Sequence, residues 1–185
     1  MQSIKNLELF PADINVLIQK CENTIVLIKE RFANPNCLLV KELYNIENNA
    51  RQKDFITKLQ INCNTKLNSE INNELKGIYV FSEMINGNIV PVYIGISRTV
   101  FRRLRQHTFG TNINSATLAH LKAKERLGLG KISETLIKLE LQVGQEKIKN
   151  YRLVVIPEMN DYDLYFMEVY IAGKLKTKWN NFKTH

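Results

Sequence analysis

The sequence predicts a mixed α+β fold, with a small three-stranded antiparallel sheet flanked by helices and a helical N-terminal extension ahead of it. Three observations carry this. Two runs rich in β-branched and aromatic residues, Gly77-Ile78-Tyr79-Val80-Phe81 and Val92-Tyr93-Ile94-Gly95, lie either side of an Asn86-Gly87 pair, which is a hairpin signal. A third such run, Tyr151 to Ile156, stops at Pro157. Apolar residues recur at helical spacing near both ends of the chain.

In chain order, residues 1–10 form a lead-in. Pro11 and Asp13 mark a helix start, and Ile14, Leu17, Ile18, Cys21, Ile25, Ile28 and Phe32 fall on one helical face. Asn34-Pro35 should stop that helix. A second helical region follows, with Leu39, Leu43, Ile46 and Ala50 on one face. It continues through Phe55, Ile56 and Leu59 as the same helix or as a third. Residues 62–76, rich in Asn and Lys, read as a connector. Residues 1–75 thus form a helical extension that packs on the remainder, dimerises or grips DNA. Residues 76–185 form the main domain, with an insertion at about 111–150.

The hairpin strands are expected at 77–82 and 90–96, with Ser97 offering an N-cap oxygen to a basic helix at about 98–108. Ser115 is positioned to cap a further helix, with Leu118, Leu121 and Leu127 on one side and Lys122, Lys124 and Arg126 on the other. Gly128 and Gly130 should end it. Residues 132–143 fit a helix through Ile132, Leu136, Leu139 and Val143, while Lys138 to Val143 also alternate like a strand. Asp161 or Asp163 should cap the final helix, which runs through Leu164, Met167, Glu168, Ile171 and Leu175.

The 185-residue chain carries a net charge of +8, with 44% hydrophobic and 24% charged residues. Such a composition supports a packed core and excludes wholesale disorder. The positive excess favours a polyanionic partner, nucleic acid ahead of an acidic membrane surface. Cys21, Cys37 and Cys63 are scattered and odd in number, which fits reduced thiols better than a disulfide framework. No signal-peptide pattern and no apolar run of membrane-spanning length is present, so the expected location is the cytoplasm.

Tyr79 in Gly-Ile-Tyr, Tyr93 in Tyr-Ile-Gly, Arg103 ten residues later and Glu168 in a late helix stand in a defined order. Asn180 follows a dozen residues after Glu168, with Asn181 as its alternative. Over roughly residues 76–182 this set resembles the GIY-YIG nuclease family. The resemblance implies hydrolysis of a DNA phosphodiester with one divalent ion, Mg²⁺ or Mn²⁺, per active site. It implies Glu168 as the metal ligand, a hard oxygen donor suited to such an ion. Arg103 would pair with phosphate oxygens. His107, one helical turn after Arg103, matches a position found in the restriction-enzyme branch, where it partners proton handling. Tyr79 is assigned as the water activator with His107 assisting, and Tyr93 as a ligand of phosphate or metal-bound water; the reverse assignment of the two tyrosines stands as the alternative. Candidate substrate-binding residues are Arg102, Arg105, Asn180, Lys122, Lys124 and Arg126.

The basic insertion and the N-terminal extension are what a compact restriction enzyme would use to wrap a duplex. The expectation is therefore a type II restriction endonuclease acting on double-stranded DNA, with a homodimer as the oligomeric form. The alternatives are a phage or mobile-element endonuclease, a structure-specific repair nuclease, or a catalytically idle DNA-binding module of the same type.

Overall fold

In the computed structural model, which describes residues 13–45, 47–62, 64, 65, 67–69, 73–111, 116–128, 134–180 and 182, the Asn86-Gly87 hairpin is the centre of construction. Strands β1 (Gly77–Ile85) and β2 (Asn88–Ser97) pair antiparallel, and Asn86 and Gly87 take φ values of 49° and 79°. Both signs are positive, as a two-residue hairpin turn following the twist of its strands requires. β3 (Arg152–Pro157) pairs antiparallel with the other side of β1, giving the order β2-β1-β3. The predicted class, a mixed α+β fold with a three-stranded antiparallel sheet between helices, is the observed one.

The hairpin ladder is interrupted once. Phe81 pairs with Tyr93 and Ser82 with Pro91, so Val92 is an extra residue on β2. A bulge there accommodates Pro91, which has no N–H for a regular ladder. Val92 and Tyr93 then both pack toward the same apolar cluster despite being consecutive.

Strand alternation divides the core into two layers. Ile78, Val80, Ile94 and Val154 face α1 (Ile14–Ala33) and α6 (Asp161–Leu175). Tyr79, Phe81, Leu153 and Val155 face α3 (Val100–Phe109), α4 (Thr117–Leu127), α5 (Glu134–Lys149) and the segment before β1. Asp13 caps α1 by accepting from the Asn15 N–H at 2.8 Å, and Asn34 closes it ahead of Pro35, as the sequence predicts. Leu17, Cys21, Ile25, Ile28 and Phe32 are buried against the sheet, so this stripe is used within the chain.

The second expected helix does not form. Its place is taken by a 3₁₀ turn, Val40–Leu43, and the four-residue α2, Phe55–Lys58. The cause is the run of asparagines between them. Asn45 Oδ1 accepts from the Glu47 N–H and Asn48 Oδ1 from the Ala50 N–H, while Asn49 is left-handed at φ 54°. These side chains offer the backbone local bonds that compete with a helix. Ile46 lies outside the described residues. Leu38, Val40, Leu43, Tyr44, Phe55 and Leu59 nevertheless join the same cluster as Tyr79 and Phe81.

Residues 134–149 are helical, which settles the helix-or-strand ambiguity, but the buried face differs from the predicted one. Leu136, Leu139 and Val143 are exposed, whereas Leu141, Gln145 and Ile148 are buried. Gly144 decides the orientation, since a Cβ there would sit 3.0 Å from Ala119 O and 3.2 Å from Ala119 Cβ. α5 therefore presses its glycine face onto α4. On α4, likewise, Leu118, Ala119, Lys122 and Ala123 are buried in place of the expected Leu118/Leu121/Leu127 stripe. Gly128 ends α4 at φ 74°. Asn160, rather than Asp161 or Asp163, caps α6, accepting from the N–H groups of Tyr162 and Asp163. Ser115, Gly130 and Ile132 lie outside the described residues. Cys21 and Cys37 are buried free thiols, and Cys63 is also outside the described residues. No helix among the described residues is long and apolar enough to cross a membrane.

Candidate active site

The two glycines of the hairpin motifs explain how its tyrosines are placed. Tyr79 lies opposite Gly95 across the β1–β2 ladder. A Cβ on Gly95 would come within 2.9 Å of Tyr79 Cε1 and closer still to Cζ and the phenol oxygen. The ring of Tyr79 thus lies flat over Gly95 and cannot do so over any larger residue. Gly77 has a backbone reason instead, because a Cβ there would lie only 3.0 Å from Pro157 Cα on β3.

Tyr79, Phe81 and Tyr93 enclose the imidazole of His107, each with its ring centroid 5.6 Å away. Tyr79 and His107 are almost wholly buried, at 1% and 0% exposure, while Tyr93 reaches the surface. Tyr79 Oη lies 2.9 Å from His107 Nε2. A neutral imidazole makes this bond in either tautomer, as acceptor or as donor. His107 Nδ1 is buried without a partner among the described residues. The Tyr79 and Tyr93 phenols also act on one another, and the Arg103 charge acts on both. His107, Tyr79, Tyr93 and Arg103 thus form one cluster in which Tyr93 is the more exposed of the two phenols.

The electrostatics follow from burial. Loss of solvent, assisted by the Arg103 charge, pushes His107 down to about 3, so its ring is neutral. Desolvation raises the Tyr79 phenol, with Tyr93 adding to the effect and Arg103 opposing it. Desolvation also raises Tyr93, but the Tyr79 hydrogen bond and Arg103 hold it down, and the Glu168 charge works against them. Arg103 is fixed from outside this pair by Gln106 Oε1 at 3.3 Å and Thr117 Oγ1 at 3.2 Å.

Glu168 approaches from the opposite side of the sheet. α6 covers the other sheet face, and the Glu168 charge acts on the Tyr93 phenol of the outer strand β2. Glu168 is half-buried, and no cation pairs with it among the described residues. Burial pushes its carboxyl up to about 7. A partly desolvated carboxylate without a counter-charge, in a chain of net charge +8, suits a hard divalent cation. Among the described residues no group of three or more His, Cys, Asp and Glu side chains is arranged to hold a metal. An ion here would therefore take one carboxylate and fill its shell with water and substrate oxygens, as Mg²⁺ commonly does.

Tyr79, Tyr93, Arg103, His107 and Glu168 thus converge at one edge of the sheet. The expected substrate-binding residues separate into two groups. Arg102, Arg105, Lys124 and Arg126 are exposed, with Arg105 donating to Asn49 O and Arg126 paired to Glu140 at 3.1 Å. Lys122 and Asn180 are instead structural. The Lys122 ammonium is buried 4.8 Å from the Trp179 ring centroid and 3.7 Å from Glu83, and desolvation lowers its pKa. Its stem is the buried face of α4, which the apolar pattern alone did not reveal. The Asn180 amide accepts from the Ile94 N–H at 2.9 Å and donates to Ile94 O at 2.8 Å, so it acts as one residue of a fourth strand against β2. Asn181 lies outside the described residues.

Three supporting residues were not apparent from the sequence. Thr117 and Gln106 position Arg103. Glu74, buried in what reads as a connector, accepts from the N–H groups of Phe101 and Arg102 at 2.9 and 2.8 Å and so caps α3. Ser97 bonds one residue too early for that purpose, accepting from the Thr99 N–H. Glu74 lies 27 residues from its partner, and no local pattern marks such a cap.

No protein-family model, no curated protein and no solved structure matches this chain.

Proposed function

We propose that the chain is a metal-dependent endonuclease of GIY-YIG type that hydrolyses phosphodiester bonds in double-stranded DNA. The observation that carries this is the half-buried Glu168, which lacks a cation among the described residues and whose charge acts on Tyr93, the phenol that Tyr79 and Arg103 also influence. The two groups come from opposite faces of the sheet, and packing alone does not call for an unpaired carboxylate beside a phenol.

In this reading Tyr93, rather than the deeply buried Tyr79, faces the attacking water. Tyr79 and Arg103 act to favour its phenolate, which accepts the water proton. His107 stays neutral and orients Tyr79. Arg103 sits to stabilise the charge that develops on the phosphate oxygens. A divalent ion on Glu168, Mg²⁺ or Mn²⁺, supplies Lewis-acid stabilisation when bound. Neutralising Glu168 also removes an ionic influence that opposes the Tyr93 phenolate.

Within this class, a type II restriction enzyme acting as a homodimer is the preferred context, because two symmetric sites cut both strands of a palindrome. Incubation of the protein with plasmid and Mg²⁺ tests the reading. Discrete fragments that disappear with EDTA and with Glu168→Gln are expected. No cleavage by the wild-type protein with Mg²⁺ or Mn²⁺ on any DNA would reduce it to a DNA-binding module. Sedimentation on a cleavable duplex tests the dimer, and one chain per duplex with both strands cut would refute it.

A further inference from the structure

A cleft of about 330 Å³ lies between the end of β2, the start of α3 and the first turns of α6. Ile96 and Leu164 are among its apolar walls, and Thr99, Arg98, Arg102 and the Tyr165 ring complete the part that matters here. Tyr165 is 66% exposed, although it is a large aromatic with ample apolar surface on the same helix to pack against. It stands one turn before Glu168 on α6, and Arg102 is the neighbour of Arg103 on α3, so the cleft adjoins the proposed active site.

The charge balance of the cleft is positive. Its one acid, Asp161, is held by Lys76 at 2.6 Å and by Arg98, which also donates through Nε at 3.1 Å. One carboxylate is thus shared by two cations, and Arg102 adds a third charge that points to solvent. Guanidinium and hydroxyl groups beside an apolar wall complement one unit of a nucleic-acid backbone. The cations and Thr99 suit a phosphate, and the apolar wall suits the hydrocarbon face of a deoxyribose. Among these lining residues there is no Asn or Gln amide to pair with an adenine edge.

We infer that this cleft docks the phosphate and deoxyribose flanking the scissile bond, with Arg102 binding the phosphate and Tyr165 packing on the sugar, independently of sequence. The inference rests on the nuclease reading and adds a substrate subsite to it.

Binding of a 20-bp mixed-sequence duplex to the Glu168→Gln protein tests it, with affinity measured at several salt concentrations. Arg102→Ala should weaken binding about tenfold and lower the salt slope by about one. Tyr165→Ala should weaken it about threefold with an unchanged slope, and Tyr165→Phe should restore it, because the ring face and not the hydroxyl makes the contact. Lys29→Ala, on the exposed face of α1, is the control and should change neither. Unchanged binding in both Arg102→Ala and Tyr165→Ala, or an equal loss in Lys29→Ala, would overturn the cleft, while plasmid cleavage by the wild type would leave the nuclease reading standing. If the wild type neither binds nor cuts DNA, the nuclease reading fails and the cleft falls with it.

Discussion

The Tyr79 ring lies across the backbone of Gly95, closer than any side chain on that residue would permit. Strand register sets this contact, since the two residues are direct partners between β1 and β2. Gly95→Ala should therefore drive Tyr79 off His107. Overpacking of this kind destabilises by roughly 1–3 kcal/mol. Chemical denaturation measures the loss. The double variant Gly95→Ala/Tyr79→Ala should lose less than the sum of the two single changes. Additive losses would show that the methyl group is accommodated without moving the ring.

The two tyrosines should separate kinetically. Tyr93→Phe is expected to lower the single-turnover cleavage rate by at least about 10²-fold, the scale of losing a positioned base. Tyr79→Phe should cost less, since the Tyr79 phenol is buried away from solvent. The wild-type rate should climb with pH through the alkaline range, where the raised Tyr93 phenol ionises, and Tyr93→Phe should flatten that climb. If Tyr79→Phe is the more damaging change, the base is Tyr79.

Arg103→Ala should lower the rate on bound DNA by at least about 10²-fold, comparable to removing one strong transition-state donor. Arg105→Ala should leave the rate on bound DNA nearly unchanged, because its guanidinium is exposed and held by Asn49 O. Rapid-quench measurement on saturating enzyme separates rate from affinity. A larger effect at Arg105 would mean that its contact to the 45–50 segment is rebuilt on DNA.

Glu168 also predicts a pH-dependent stability. Burial lifts its folded-state pKa to about 7, above the ordinary carboxylate value of 4.5. Between these values the folded protein binds more protons than the unfolded one, so this contribution to stability is present below pH 4.5 and is lost as pH rises through 7. Glu168→Gln removes the ionisation. Its melting temperature should exceed that of the wild type at pH 8, with the gap narrowing toward pH 5. Millimolar Mg²⁺ should raise the wild type and leave the variant unmoved. An unchanged or lower melting temperature for Glu168→Gln at pH 8 would show that the carboxylate is not desolvated.

Much of this arrangement was legible in the chain itself. The hairpin, the third strand, the first and last helices and the four-residue spacing of Arg103 and His107 all follow from local pattern. What local pattern missed was decided at a distance or by a competing local bond. Asn45 and Asn48 replaced a helix with turns. Gly144, by pressing on Ala119, turned the apolar stripe of Leu136, Leu139 and Val143 outward. Lys122 reads as a solvent-facing cation until Trp179, 57 positions later in the numbering, supplies its ring. Glu74 carries no local sign of capping a helix that begins at Val100. Tyr93 stood out as a motif residue, but only its greater exposure and the nearby Glu168 charge distinguish it from Tyr79.

The brace formed by the end of the chain has a consequence for how copies meet one another. β2 is an outer strand, yet its Val92 carbonyl accepts from the Trp179 N–H and its Ile94 groups are bonded by Asn180. On the other outer strand, the Leu153 N–H donates to Leu38 O and Tyr151 O, just before the strand, accepts from the Val40 N–H. Among the described residues, part of each outer strand is thus already bonded within the chain. A strand exposing an open row of donors and acceptors is a template for cross-chain polymerisation. The end of the chain and the 38–40 segment thus leave less of a three-stranded sheet open to growth by accretion in a concentrated solution.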